Sequence, residues 1–218
     1  MAELVDHPGP TADPAVRPTS SVPTAPTEVA TSTWTPPHAA APPVDEPPAA
    51  AEIRALAGIQ RLVRGRAVGV ARGMSFFGEH AGGWLALGAL GAVVDRPRRR
   101  EWITAAAGVA LAHGVSIGVK RVVRRTRPEH PSVEVRVGTP SRLSFPSAHA
   151  TSTTAAALLY GRLLRRPLVP VLVPPMALSR LVLGVHYPSD VVAGSALGAL
   201  VALAVRRATR RPTSKGRR

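Results

Sequence analysis

Three short stretches between residues 120 and 190 carry side chains whose types and spacing suit chemistry on a phosphate. The first is Lys120, six residues, then Arg127-Pro128. The second is Phe145-Pro146-Ser147-Ala148-His149, and the third is Ser179-Arg180, five residues, His186, three residues, Asp190. Lys120, Arg127 and Arg180 are cations suited to a dianionic phosphate, the arginines as bidentate donors and the lysine as a point charge. Pro146-Ser147 reads as a helix start, so Ser147 and the backbone N–H groups after it add an anion-binding helix N-terminus. Two histidines supply a nucleophile and a general acid. A carboxylate beside one imidazole fixes its tautomer and stabilises the positive charge gained on attack, which makes His186 the nucleophile and Asp190 its orienter. His149 then protonates the leaving oxygen and later activates water. Singly, each stretch has a plainer reading: juxtamembrane charge, a helix cap, a structural His–Asp pair or half a metal site. The set requires no metal or other cofactor.

These groups sit in or beside apolar segments, where ionisable residues are costly and usually functional. Five apolar blocks recur: Ala81–Val94, Trp102–Val119, Ala150–Gly161, Pro167–Val185 and Val191–Val205, with arginine clusters between them. Eighteen residues of helix span about 27 Å, close to the hydrocarbon thickness of a bilayer. Ahead of them, Glu52–Arg72 places Ile53, Leu56, Ile59, Leu62 and Val63 at helical spacing among arginines, which predicts one amphipathic helix at the interface. Two GxxxG pairs, Gly78/Gly82 and Gly194/Gly198, are candidates for close helix contact. The expected fold is therefore all-α: an integral-membrane bundle of about six helices over residues 51–206. It follows a disordered acidic tail at 1–50 and precedes a basic tail at 207–218.

The charge distribution excludes other classes. The 218 residues carry a net charge of +15, which alone would suggest a nucleic-acid partner. Residues 1–50 hold 12 of the 23 prolines and a net charge of −5, so the remainder carries +20. Hydrophobic residues make up 45% of the chain, a share that fits membrane helices flanked by charge, with membrane lipids rather than nucleic acid as partners. There is no cysteine, which removes disulfides, thiolate metal sites and thiol nucleophiles. The tail lacks the basic and apolar regions of a signal peptide.

Taken in order, the three stretches resemble the three-part signature of the type 2 phosphatidic acid phosphatase superfamily. That resemblance implies a six-helix bundle with its site at one membrane face, a phosphohistidine intermediate on His186 and metal-independent hydrolysis of a lipid-linked phosphate. Ala148 departs from the commonest signature, which has glycine there. Ala is harmless if the residue opens a helix at negative φ. A narrower resemblance, carried by Phe77–Trp84, Ser144–Ala155 and Ser179–Asp190, points to actinobacterial members of the superfamily. Those include members proposed to act on decaprenylphosphoryl-5-phosphoribose in cell-wall arabinan precursor synthesis. On that resemblance Glu79 and His80 join the substrate pocket; the plainer reading is that they interrupt a helix. Polyprenyl diphosphate and phosphatidate are alternative substrates, and a non-catalytic lipid-binding or scaffold protein is the alternative of another class. Counting positive charge gives 14 on the side holding Arg96–Arg100, Arg162–Arg166 and the C-terminus, against 12 on the side of the signature. Several of the 12 belong to the phosphate site, which tilts the expectation toward an extracytoplasmic site.

Overall fold

The computed structural model describes residues 47–209, which form seven α-helices. They are α1 (Pro47–Leu62), α2 (Arg66–Gly78), α3 (Gly82–Val94), α4 (Arg99–Val123), α5 (Ala148–Leu164), α6 (Val169–Val182) and α7 (Pro188–Ala208). Six of them, α2–α7, make the expected bundle, and α1 packs against one end of it. Of the tails expected at 1–50 and 207–218, all but residues 47–50 and 207–209 lie outside the described residues.

The single amphipathic helix expected over Glu52–Arg72 is two helices. Gly65 breaks it with φ 60° and ψ −129°, a combination open to glycine and costly for other residues. The apolar face of α1 then turns onto the loop after α4: Ile53 and Leu56 pack with Val133, Leu181 and Tyr187. Gln60 fixes that loop, accepting from the Glu134 N–H and donating to the Glu134 and Val182 carbonyls. On α2, Ala71 packs with Val182, Leu183 and Val185. Further along, Gly78 lies against the side chains of His149 and Met176. A 3₁₀ turn at Glu79–Ala81, with His80 and Ala81 at positive φ, separates α2 from α3. The pair Gly78/Gly82 is thus the boundary of two helices rather than one packing face.

Gly194/Gly198 is a packing face. A Cβ on Gly194 would meet the Ser147 carbonyl oxygen at 2.5 Å, and one on Gly198 would come closer still to the Thr151 carbonyl oxygen. This contact sets the entry of α5, the central helix, which has buried residues on every side. Three of its hydroxyls are satisfied within the bundle: Thr151 donates to the Ser147 carbonyl, Ser152 to the Ala148 carbonyl, and Thr153 accepts from the Trp84 indole N–H. The main core joins α3, α4, α5 and α7 through Trp84, Trp102, Val109, Leu159, Tyr160 and Ala202. Outward-facing apolar side chains such as Leu90, Ile103, Leu111, Val171, Val192 and Leu200 remain exposed. Two segments, Arg96–Val123 and Pro188–Ala208, are long and apolar enough to cross a membrane.

Candidate active site

Four helix ends and one turn meet at the end of the bundle covered by α1. Lys120 comes from the last turn of α4, His149 from the first turn of α5, Arg180 from the end of α6 and Asp190 from the first turn of α7. His186 stands in the turn between α6 and α7, and Arg127 in the loop after α4. A cavity of about 270 Å³ opens among them, lined by Lys120, Arg127, His149, Arg180 and His186. Glu79, His80 and His113 line it as well.

The His186 imidazole is buried, with its two nitrogens in different surroundings. Nε2 lies 3.3 Å from Arg127 Nη1. A guanidinium only donates, so Nε2 is the unprotonated acceptor and the proton belongs on Nδ1. Nδ1 faces Asp190 Oδ2 at 3.5 Å, an ion-pair separation rather than a formed hydrogen bond. Burial, followed by the charges of Arg127, Arg180 and Lys120, holds this imidazole well below its ordinary range and keeps it neutral. The Nε2 lone pair therefore points toward the cations of the cavity.

Asp190 is fixed on both oxygens. Oδ2 accepts from the Tyr187 backbone N–H, closing the cap of α7, and Oδ1 accepts from Arg125 at 3.0 Å. Arg125 also bonds Glu52 of α1 at 2.5 Å and lies 3.9 Å from the Tyr187 ring. The Ser147 N–H donates to the Asp190 carbonyl, so the start of α5 is hung on the start of α7.

The cations are each anchored by part of their donor set. Lys120 donates to the Leu143 and Ser144 carbonyls, at 3.2 and 2.9 Å. Arg127 donates through Nε to the Ser141 carbonyl and through Nη1 to the Val185 carbonyl. Arg180 donates to Ser75 Oγ at 2.6 Å, while its buried Nε has no partner among the described residues. His149 Nε2 donates to the Ser75 carbonyl at 3.0 Å, so Ser75 orients both an arginine and a histidine.

Of the residues singled out from sequence, Lys120, Arg127, His149, Arg180 and His186 line one cavity, with Asp190 directly behind His186. Glu79 and His80 reach the same cavity because the 3₁₀ break after α2 lies beside it. Ser147 takes a different place. Its Oγ accepts from the Ala150 N–H as the cap of α5 and is buried away from the cavity, which is lined instead by Ala148. Ala148 opens the helix without positive φ, so the missing glycine carries no backbone penalty.

Ser75, Arg125 and His113 were not legible. Ser75 and His113 lie inside apolar helical runs, and Arg125 is one of five basic residues between 120 and 127.

The PAP2 superfamily matches residues 101–214. The decaprenylphosphoryl-5-phosphoribose phosphatase of Mycobacterium tuberculosis is 65% identical over 131 residues, 60% of this chain and 74% of that protein. The protein of the same name from Mycolicibacterium smegmatis is 62% identical over 124 residues, 57% of this chain and 69% of its own. Among solved structures, a transmembrane PAP2-type phosphatidylglycerolphosphate phosphatase from Bacillus subtilis superposes with a TM-score of 0.61 at 19% identity. It covers 78% of this chain and 91% of that one. Membrane association follows from that fold together with the two long apolar helices. A family match over half the chain, with relatives this close, means that the chain belongs to the PAP2 superfamily.

Proposed function

We propose that this protein hydrolyses a phosphomonoester on a polyprenyl-linked sugar, decaprenylphosphoryl-5-phosphoribose, through a phosphohistidine intermediate. The observation that carries the chemistry is the convergence of three cations and a neutral, Asp-backed imidazole on one cavity. The identity to relatives of that name supports the substrate.

The phosphate enters among Lys120, Arg127 and Arg180, taking the free Arg180 Nε–H and the N–H groups at the start of α5. Arg127 turns from His186 Nε2 to the phosphate and releases the lone pair. Nε2 attacks phosphorus as the bond to the leaving oxygen breaks, and His149, protonated also on Nδ1 while its Nε2–H stays on the Ser75 carbonyl, delivers the Nδ1 proton to that oxygen. The imidazole, now cationic, is stabilised by Asp190. His149 next takes a proton from water, the water oxygen bonds to phosphorus, and the N–P bond returns its electron pair to Nε2. Inorganic phosphate leaves. Ser147 acts by holding the first turn of α5, and Glu79 and His80 at the rim are placed to meet sugar hydroxyls.

The domain is proposed to span 51–206 and to cross the bilayer several times, with α2 and α3 together making one crossing and α4 to α7 one each. The site and α1 then lie on one face and the arginine-rich turns on the other. Lys120, Arg125, Arg127, Arg136 and Arg180 are engaged in internal bonds, so the freer positive charge lies at the opposite end. By the positive-inside rule that end is cytoplasmic and the site is extracytoplasmic.

The test is phosphate release by the purified protein in detergent from a panel of lipid phosphates, with and without EDTA. Decaprenylphosphoryl-5-phosphoribose should be turned over best and EDTA should leave the rate unchanged. Glu79→Gln should raise KM for the phosphoribosyl lipid and not for phosphatidate. A requirement for added divalent metal, or no release from any substrate, would sink the mechanism.

A further inference from the structure

The opposite end of the bundle holds a second and larger cavity, about 780 Å³, between the α3–α4 turn and the ends of α5 and α7. Its floor is apolar, formed by Ala105, Leu159, Leu163 and Val205. Its wall carries Arg96, Arg98, Arg99, Arg100, Arg162 and Arg206, against the single carboxylate of Glu101. Arg98 is committed, bonding Asp95 at 2.6 Å and donating to the Leu163 carbonyl. Among the described residues, the other five arginines and Glu101 form no ion pair. Arg206 Nε is buried without a hydrogen-bond partner among the described residues.

Helix electrostatics account for only part of this cluster. Arg162 and Arg206 stand in the last turns of α5 and α7, where a cation complements the dipole. Arg96, Arg99 and Arg100 precede or open α4, which has no side-chain cap, and there a cation opposes the dipole. An anion in the cavity would reverse that opposition and supply the partner Arg206 lacks. Charge placed only to orient the chain in a membrane needs neither a cavity nor an apolar floor.

We propose that this cavity binds the phosphate headgroup of an anionic membrane phospholipid, with its glycerol and upper acyl carbons on the Leu159–Leu163–Val205 floor. Basic pockets between membrane helices on the positive side are suited to such headgroups. Some twenty residues of α4, about 30 Å, separate Arg100 from Lys120, so the bound lipid touches no group of the phosphate site.

The test is native mass spectrometry of the delipidated full-length protein titrated with phosphatidylglycerol or with phosphatidylcholine of the same chains. Phosphatidylglycerol should be retained at least roughly tenfold more tightly, and Arg99→Gln/Arg162→Gln should remove most of that preference. Arg99→Lys/Arg162→Lys should restore it, Arg127→Gln should leave it intact, and lipid-phosphate hydrolysis by the doubly substituted protein should be unchanged. Equal retention of the two lipids, or a preference that survives the double substitution, overturns the proposal. So does loss of the preference in Arg127→Gln, which would place the lipid in the phosphate site. Displacement of the lipid by millimolar inorganic phosphate would overturn it in favour of a free-anion site. Both changed side chains are exposed, and an unaltered melting temperature checks that the fold survives.

Discussion

Replacing Arg127 with Gln separates two roles that the geometry assigns to one guanidinium. Arg127 Nη1 sits 3.3 Å from His186 Nε2, so its charge opposes protonation of the imidazole. Two unit charges about 4 Å apart interact by about 1 kcal/mol in water and about 4 kcal/mol at an effective dielectric constant of 20. Arg127 is partly buried at the rim of the cavity, which places the pair between those limits. At 1.36 kcal/mol per pH unit, the acid limb of kcat/KM in Arg127→Gln should move upward by at least roughly 0.7 units. The substrate phosphate ionises near pH 6 in both assays, so the difference between the two profiles belongs to the enzyme. Loss of charge-assisted hydrogen bonds to the phosphate should also lower kcat/KM by about 10- to 100-fold on the pH plateau. An NMR titration of the His186 ring in the substrate-free protein gives the first effect without turnover. An unchanged or downward-shifted midpoint would refute the claim that Arg127 sets the protonation state of His186.

Other perturbations reach the same architecture from different sides. Gly194→Ala would drive a methyl group into the Ser147 carbonyl oxygen, which lies 2.5 Å from where that Cβ would stand, and overpacking of this kind costs about 1–3 kcal/mol. A lower melting temperature in detergent and a fall in kcat/KM from a displaced α5 should appear together. The fold also keeps His186 neutral, whereas the unfolded chain takes up a proton there below about pH 6.5. That contribution is present above pH 6.5 and lost as the pH falls, so the melting temperature of His186→Gln should fall less steeply between pH 7 and 5 than that of the unchanged protein. Finally, the chain has no cysteine, so Ser132→Cys and Arg165→Cys give single labels at opposite ends of the bundle. In intact cells an impermeant maleimide should label the first and not the second; the reverse pattern would overturn the extracytoplasmic site.

The candidate set around the cavity was legible because its members are rare types at informative spacings. His186 and Asp190 are four residues apart across a helix start, and Lys120 and Arg127 straddle the end of α4. The apolar blocks located five helices, although α4 extends beyond Trp102–Val119 at both ends. Failures came where a residue's role depends on what approaches it. Nothing local marks Ser75, whose hydroxyl and carbonyl serve Arg180 and His149 only because Gly78 lets α2 close on α5. Arg125 resembles its basic neighbours until Asp190 and Glu52 are brought to it from distant parts of the chain. Ser147 is a cap as its sequence position suggests: its Oγ accepts from the Ala150 N–H, a bond that leaves the hydroxyl proton to donate elsewhere. The break at Gly65 escaped because apolar spacing continues through it, and only the backbone dihedrals end the helix.

Why the site forms at this end of the bundle follows from the alternation of helix directions. The ends of α4 and α6 and the beginnings of α5 and α7 arrive together, which brings two C-terminal and two N-terminal dipole ends to one face. Lys120 and Arg180 lie in the last turns of α4 and α6, where cations complement the dipoles. His149 and Asp190 lie in the first turns of α5 and α7, where N–H groups favour an anion. Lys120, Arg180 and Asp190 therefore rest on the helix ends that suit their sign, which lowers the cost of burying them in an apolar bundle, whereas His149 opens α5 where the dipole opposes a cation. The Nε of Arg180 stands apart, a buried donor that no group among the described residues satisfies. In the proposed mechanism a phosphate oxygen is the acceptor that completes this arrangement, with His186 as the proposed nucleophile on its phosphorus.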